Sequence, residues 1–211
     1  MNVLNKKIRQ MRGIERSANE LTLEFLKYID LAAVVKLNEV CGFGGKRLQD
    51  YYKDSYTLLT DAMAKYGGDG DSEYEQVMLC KTAFTSQLKG LGFDVAKCDE
   101  DILKNYNHIG AKRMNASEWR RYKTRADFVI ACDDTIQVFI MSICMYMHSH
   151  HKYGAGRLEK LYTAIRDEYM GMVDNYLSFH DDYVLVRQAE MRAYIKGKCG
   201  IEVDYGKADK V

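Results

Sequence analysis

The chain has 211 residues, of which 47% are hydrophobic and 29% are charged, a composition typical of a globular protein that buries a core. Its 31 basic and 30 acidic residues leave a formal net charge of +1, which excludes attraction to a polyanion through net charge alone. Proline is absent. Because proline breaks helix interiors but suits turns and sheet edges, its absence favours long helices joined by short connections.

The N-terminal segment carries the basic residues Lys6, Lys7, Arg9, Arg12 and Arg16 without the apolar stretch that follows the basic region of a signal peptide. Six cysteines are scattered over positions 41 to 199 and form no CxxC pair. Scattered cysteines without a signal peptide indicate free thiols in a reducing compartment. We therefore expect a cytoplasmic protein.

Three helices are predicted in the N-terminal half, over residues 17–40, 46–66 and 73–89. The first has apolar residues at helical spacing along one face: Leu21, Phe25, Ile29, Ala32, Ala33, Leu37 and Val40. Gly42 or Gly44 is expected to end it, because glycine adopts the left-handed conformation that a helix C-terminus requires. The glycine-rich, acidic stretch 67–72 predicts a loop.

The C-terminal half predicts helices over residues 124–149, 158–177 and 183–196. Between the halves, a short helix is expected near Ile102, and Asn115 with Glu118 three residues later has the spacing of a capping box. The longest apolar stretch, 129–147, is interrupted by Asp133, Asp134 and Gln137. Because a carboxylate near a bilayer centre costs roughly 2–3 kcal/mol, we expect a buried core helix and no membrane partner.

A shift of the sequence by 110 positions brings residues 37–64 into register with residues 147–174. The closest matches are Phe43 with Tyr153, Gly44 with Gly154, Arg47 with Arg157 and Leu48 with Leu158. Residues 88–95 then resemble residues 195–203 with one insertion. The alternative is that helix–glycine–helix segments resemble one another without common origin.

Because both blocks recur in the same order, we predict an all-α fold of two tandem, divergent three-helix units that form a helical bundle. The predicted limits are 1–97 for the first unit, 98–123 for a basic connecting segment and 124–211 for the second unit. The structural junction of each unit is placed at Gly44 and Arg47, and at Gly154 and Arg157. The sequence leaves open whether the units share one core or dimerise through their apolar faces.

The aromatic-Gly-x-x-Arg-Leu junction, preceded by a polar residue (Asn38 or His148), resembles small uncharacterised helical proteins of phages and prophages of Gram-positive bacteria. That group has no agreed activity to transfer. The resemblance implies an accessory protein of a mobile element, and many such proteins bind host machinery, including defence nucleases.

Two motifs resemble known functional sites, a phosphate-binding loop and a metal site, but each lacks features that such a site needs. Residues 42–46 are glycine-rich, but a Walker loop needs glycine where Val40 stands and serine or threonine where Arg47 stands. We therefore expect a tight turn between two helices at this position.

A metal site is the second such motif. Cys144, His148 and His151 lie on one helical face, and His180-Asp181 with a later Asp204 matches the ligand order of helical metal-dependent phosphohydrolases. In register, the N-terminal half has Asn38 and Cys41 where this half has the two histidines. We interpret the histidines as a polar helix end, expect no metal or cofactor, and keep the phosphohydrolase as an alternative.

Asp133 and Asp134 lie inside an apolar helix, where an ionised carboxylate needs a cationic partner or several donors. They form either an acid site or salt bridges to a neighbouring helix. We favour the salt bridges, with Arg47 and Arg157 as candidate partners.

Residues 112–125 combine six basic residues and one acid with interleaved aromatic residues. Basic side chains contact phosphates, and aromatic rings stack on unpaired bases. The alternative is a solvated helix start with Trp119 packed into the core. We predict a partner- or nucleic-acid-binding site here, formed by Lys112, Arg113, Trp119, Arg120, Arg121, Lys123 and Arg125.

The sixteen tyrosines and eleven methionines also suit a protein interface. We predict a non-enzymatic binding protein of a phage or mobile element that acts stoichiometrically in the host cytoplasm on a protein or nucleoprotein target. A host-defence complex of the CRISPR type is the expected class of target, and no catalytic residue is predicted. The alternatives are a nucleic-acid-binding module based on residues 112–125 and the phosphohydrolase.

Overall fold

The computed structural model describes residues 3–68, 72–106, 114–180 and 182–203, with side chains from residue 19 onward. In these ranges the chain folds into seven α-helices and no strand, which confirms the all-α prediction. The helices are α1 Val3–Glu39, α2 Gly45–Tyr66, α3 Glu73–Gly90, α4 Val95–Tyr106, α5 Ala116–His151, α6 Ala155–Leu177 and α7 Tyr183–Cys199.

The bounds of α2, α3, α6 and α7 lie within three residues of the prediction, whereas α1 and α5 begin well before residues 17 and 124. Apolar periodicity marks only the part of a helix that packs against the core, and the first buried residue of α5 is Cys132. The α5 residues before it are exposed or half-buried, so their apolar pattern is too weak to mark the helix. Asn115 caps α5 as predicted: its side chain accepts from the Glu118 amide, and Glu118 accepts in return from the Asn115 amide.

One continuous hydrophobic core contains residues of all seven helices, so the apolar faces of both halves of the chain meet in it. Helix α5 packs against α1, α2, α3 and α6, and its residues 136–144 are all buried. By length and composition α5 could cross a membrane, but 56% of its most apolar window is buried within the bundle. Such a helix is compatible with the core of a soluble protein. The limits 97 and 123 of the proposed units stay predictions.

The two long helices run side by side in the same direction. Thr22 of α1 contacts Cys132 of α5 at 2.9 Å, and the rings of Phe43 and Tyr153, just beyond the two C-termini, lie 6.3 Å apart. Around this pair, α3 packs on α5 and α7 packs on α1, whereas α2 and α6 each contact both long helices. Each half of the chain therefore places one of its later helices, α3 or α7, on the first helix of the other half.

Candidate functional site

The first four turns of α5 carry large apolar side chains outside the core. Trp119 is 53% exposed and Ile130 is 71% exposed. At 100° per residue they share one face with Tyr122 and Ala126, which are half-buried against the core. We call these four residues, Trp119, Tyr122, Ala126 and Ile130, the α5 stripe. The interpretation of Trp119 as a core residue is therefore wrong.

Trp119 forms the outer end of this stripe together with Tyr122. The two rings are stacked, with centroids 5.7 Å apart and planes inclined by 18°. Stacking on a half-buried tyrosine fixes one face of the indole against the helix. The rest of the indole remains open to a partner.

The predicted basic residues divide into two groups. Arg121 and Arg125 lie over the Phe179 ring, each with its guanidinium carbon 4.8 Å from the ring centre, and Arg125 also donates to the Tyr176 carbonyl. These contacts hold the start of α5 against the turn that follows α6. Arg120 and Lys123 are exposed and make no ion pair within the described part of the chain. Lys112 and Arg113 lie outside the described residues.

Phe179 is a residue that the sequence analysis did not select. Its backbone is left-handed, with φ 64°, which is uncommon for a residue other than glycine. The turn places its ring between the end of α6 and the two arginines of α5. No sequence signal marks this role, because the partners lie far away along the chain.

The two predicted junctions have nearly the same geometry. Gly44 is the N-cap residue of α2, with φ −86° and ψ 174°, and Gly154 is the N-cap residue of α6, with φ −88° and ψ 173°. The left-handed residue that ends each preceding helix is Gly42 in one junction and Lys152 in the other, at φ 66° and 57°. In the described residues no strand precedes the glycine-rich stretch, so its glycines serve a turn between two helices, as expected.

The polar residue before each junction performs the same task in both. The Asn38 amide donates to the Phe43 carbonyl at 2.7 Å, and the His148 ring nitrogen lies 2.8 Å from the Tyr153 carbonyl. Each junction arginine covers its aromatic neighbour: Arg47 lies 5.2 Å from the Phe43 ring centre and Arg157 lies 4.3 Å from that of Tyr153.

The residues considered as metal ligands are held apart by other contacts. The Cys144 thiol is buried and directed at the Leu158 carbonyl, and the His151 ring packs against Phe43. His180 contacts the Asn175 side chain. Asp181 and Asp204 lie outside the described residues, and within those residues no three His, Cys, Asp or Glu side chains are grouped so that they could bind a metal.

Asp133 and Asp134 form salt bridges to neighbouring helices, but the candidate partners Arg47 and Arg157 were wrong. Asp133 accepts two hydrogen bonds from Arg166 of α6, at 2.7 and 3.0 Å, and Asp134 accepts one from Lys81 at 2.6 Å. The junction arginines follow the C-terminal ends of α1 and α5 and lie over their aromatic neighbours, whereas the two carboxylates stand in the middle of α5.

Arg166 links three helices in the interior. Its side chain is 1% exposed, and its Nε lies 3.3 Å from Asp99 of α4, which also accepts a hydrogen bond from Tyr162 at 2.9 Å. Burial raises the pKa of Asp99, against the opposing effects of Arg166 and Tyr162. The arginine thereby ties the short α4 helix to α5 and α6.

Two surface grooves occupy corresponding places in the two halves. The first, which we call the charged groove, measures about 500 Å³ and lies between α1, α6 and α7. The second, the aromatic groove, measures about 330 Å³ and lies between α2, α3 and α5. Five lining positions of the two grooves coincide after the shift of 110 residues: Lys36 with Tyr146, Glu39 with Ser149, Val40 with His150, Glu168 with Leu58, and Gly171 with Asp61.

The charged groove is organised around Glu168. Its carboxylate accepts from the Tyr28 hydroxyl at 2.9 Å and from Arg187 at 2.8 and 3.2 Å, with the Lys36 ammonium 3.6 Å away. Burial alone would raise the pKa of Glu168, but hydrogen bonds and charge from Arg187 lower it below its ordinary value. Glu168 thus joins Tyr28, Lys36 and Arg187 in one polar network within the groove.

Comparisons with protein-family models, with curated proteins and with solved structures found no match for this chain.

Proposed function

We propose that this protein is a non-enzymatic binding protein that acts by stoichiometric contact with a protein or nucleoprotein target, through the α5 stripe. The observation that supports this is the exposure of Trp119 and Ile130 on one helical face outside the core. Large apolar side chains grouped on a surface mark interaction sites, and tryptophan is among the residues that contribute most to binding. Exposed Arg120 and Lys123 beside the stripe favour a target with acidic groups around an apolar groove.

The scaffold of this surface is, in the same proposal, a tandem duplication of one three-helix unit. The matching backbone angles of Gly44 and Gly154 support it, as do the matching carbonyl contacts of Asn38 and His148. Residues 110 positions apart also touch each other, as Thr22 does Cys132. Such contacts between equivalent residues are expected along a twofold axis that relates two copies.

The biological setting follows from the junction that resembles helical proteins of phages and prophages. In this setting the target is part of a host-defence complex of the CRISPR type, in the host cytoplasm. Inhibition of such a complex requires a surface that occupies a binding site and no chemistry of its own. The mixed apolar and basic character of the α5 stripe and its neighbours suits both the protein and the nucleic-acid parts of such a target.

The test is capture of the target from a bacterial host lysate by the tagged protein, with and without nuclease treatment. We expect a protein that is retained in near-stoichiometric amount, that survives nuclease, and that is lost with Ile130→Ser or Trp119→Ala. Leu185→Ser is the matched control, because Leu185 is 65% exposed but lies on α7. A captured protein that all three variants retain equally would contradict the role of the stripe, and capture of nothing would contradict the proposal.

A further inference from the structure

The fold brings two basic segments of the chain to the same end of the bundle. Helices α1 and α5 run in the same direction and touch at Thr22 and Cys132. Residues 3–16 precede this contact in α1, and residues 116–125 precede it in α5. The N-terminal turns of both helices therefore extend from one end of the molecule.

These two segments are strongly basic, although the net charge of the whole chain is close to zero. Together they hold nine basic and two acidic residues, which leaves 22 basic and 28 acidic residues in the rest of the chain. The charge is therefore unevenly distributed, with a strongly basic end and a remainder that carries six more acidic than basic residues. Such a separation attracts and orients a polyanion even when the net charge is only +1.

The α5 segment adds a stacking surface to the charge. The Trp119 ring is stacked on Tyr122 and more than half exposed, and the exposed Arg120 and Lys123 flank it on the same helix. Arg121 and Arg125 hold this part of α5 in place through Phe179. An aromatic face beside basic side chains is the arrangement by which proteins bind unpaired bases and their phosphates.

We infer that this end of the bundle binds single-stranded nucleic acid, with a base on Trp119 and phosphates on Arg120 and Lys123. Trp119, Arg120 and Lys123 also belong to the protein contact proposed above, whereas Ile130 takes no part in nucleic-acid binding, so Ile130→Ser distinguishes the failure of one proposal from the failure of the other. A duplex would fit less well, because its bases are already stacked and present no free face to Trp119.

Trp119 is the only tryptophan of the chain, so its fluorescence reports directly on this site. The full chain is titrated with an oligothymidine of about 15 nucleotides, within the range of known single-strand site sizes, and with a duplex of the same length. We expect quenching by the single strand and weaker binding of the duplex. The logarithm of the binding constant should fall with that of salt concentration by about 0.7 for each phosphate contact.

The variants separate charge from stacking. Arg120→Ala with Lys123→Ala should weaken binding at low salt and reduce the salt slope by about 1.4, since two contacts are lost. Trp119→Ala, followed with a labelled oligonucleotide, should weaken binding about tenfold through loss of one stacked base. Lys53→Ala with Lys160→Ala is the matched control, because both lysines are exposed on other helices, and Ile130→Ser should bind as the wild type does.

The inference would be overturned by three results. The first is no salt-dependent binding of the single strand at low salt. The second is an equal loss in both double variants, which indicates unspecific attraction. The third is equal affinity for the duplex or for a polyglutamate of equal charge, since neither offers an unpaired base. Helical circular dichroism of each variant establishes that it is folded before its binding is compared.

Discussion

The charged and aromatic grooves lie at corresponding places in the two halves of the chain, yet their chemistry differs. Glu168 stands where the aromatic groove has Leu58, and Lys36 stands where it has Tyr146. By contrast, Leu48 and Leu158, which correspond in the core near the junctions, are both fully buried leucines. The backbone and the tightly packed positions are thus constrained to match, while partly exposed lining positions can change from ion pairs to aromatic rings at little cost to the fold.

One pair of corresponding positions that involves the interior also differs between the two halves. Arg166 is buried between Asp99 and Asp133, whereas the corresponding residue of the N-terminal half, Tyr56, is 45% exposed. An arginine in the interior is tolerated because each side of its guanidinium meets a carboxylate. The C-terminal half therefore depends on an ionic network that its counterpart lacks.

The largest expected effect comes from removing this arginine. Arg166→Ala leaves the carboxylates of Asp99 and Asp133 without their shared cationic partner and opens a cavity, so we expect a loss of about 3 kcal/mol or more in the free energy of unfolding. Tyr56→Phe at the corresponding position should change it by less than about 0.5 kcal/mol. Urea denaturation of both variants measures the difference. Equal, small effects would mean that the network is dispensable and the two halves equivalent here.

The next prediction replaces Glu168, at the centre of the charged groove, with leucine, the residue at the corresponding position 58 of the aromatic groove. Glu168→Leu removes the acceptor of Tyr28 and Arg187 and one neighbour of Lys36, which should cost about 2 kcal/mol in the free energy of unfolding. Glu190→Leu is the matched control, because this 60% exposed carboxylate pairs with the same Arg187 at the groove rim. The control should lose no more than about 0.5 kcal/mol.

Glu168 also gives this groove a pH dependence of known sign. Its pKa is lower in the folded than in the unfolded protein, so its contribution is present above the unfolded value of about 4.3 and is lost as pH falls through the folded pKa. The stability difference between wild type and Glu168→Leu should therefore shrink as pH is lowered below about 5. A difference that stays constant down to the acid limb would show that the charge of Glu168 is not what stabilises the groove.

The fourth prediction concerns the helix starts beside the junctions, where the two halves hold Gly45 and Ala155. A Cβ atom on Gly45 would lie 2.5 Å from the Cys199 carbonyl oxygen, so Gly45→Ala must displace backbone and should cost about 1–2 kcal/mol. Gly44→Ala is the control, because space around Gly44 is open and its φ of −86° suits any residue. A Gly45→Ala variant as stable as Gly44→Ala would mean that the end of α7 adjusts without cost.

A structural feature could be predicted from the sequence where the residues that form it lie close together along the chain. The helices, the Asn115 cap and the junction glycines follow from periodicity and turn chemistry within a few residues, and they were predicted. The partners of Asp133 and Asp134 were not, because Arg166 and Lys81 meet them only through the packing of distant helices. A sequence pattern identifies a carboxylate within an apolar helix but not which cation the fold brings to it.

In the candidate site, too, features formed by neighbouring residues were predicted and those formed by distant residues were not. The aromatic and basic composition of residues 112–125 was visible, but the exposure of Trp119 was left open because a helix start can face either way. The grooves were missed, since their lining residues come from three helices each and form no contiguous pattern. The role of Phe179 was missed for the same reason.

The smallest expected effect lies at the floor of the charged groove, at Asp167. Burial raises the pKa of this carboxyl, so its ionisation opposes folding above the unfolded pKa of about 3.9, unlike that of Glu168. Asp167→Asn should therefore increase the free energy of unfolding at neutral pH, by less than about 1 kcal/mol because the group is half-exposed. This gain should disappear at pH values where wild-type Asp167 is protonated in both states, as denaturation at pH 7 and pH 3 would measure. A loss at pH 7 would instead mean that Asp167 is held by a favourable partner, and that the charged groove is fully paired rather than carrying one uncompensated acid.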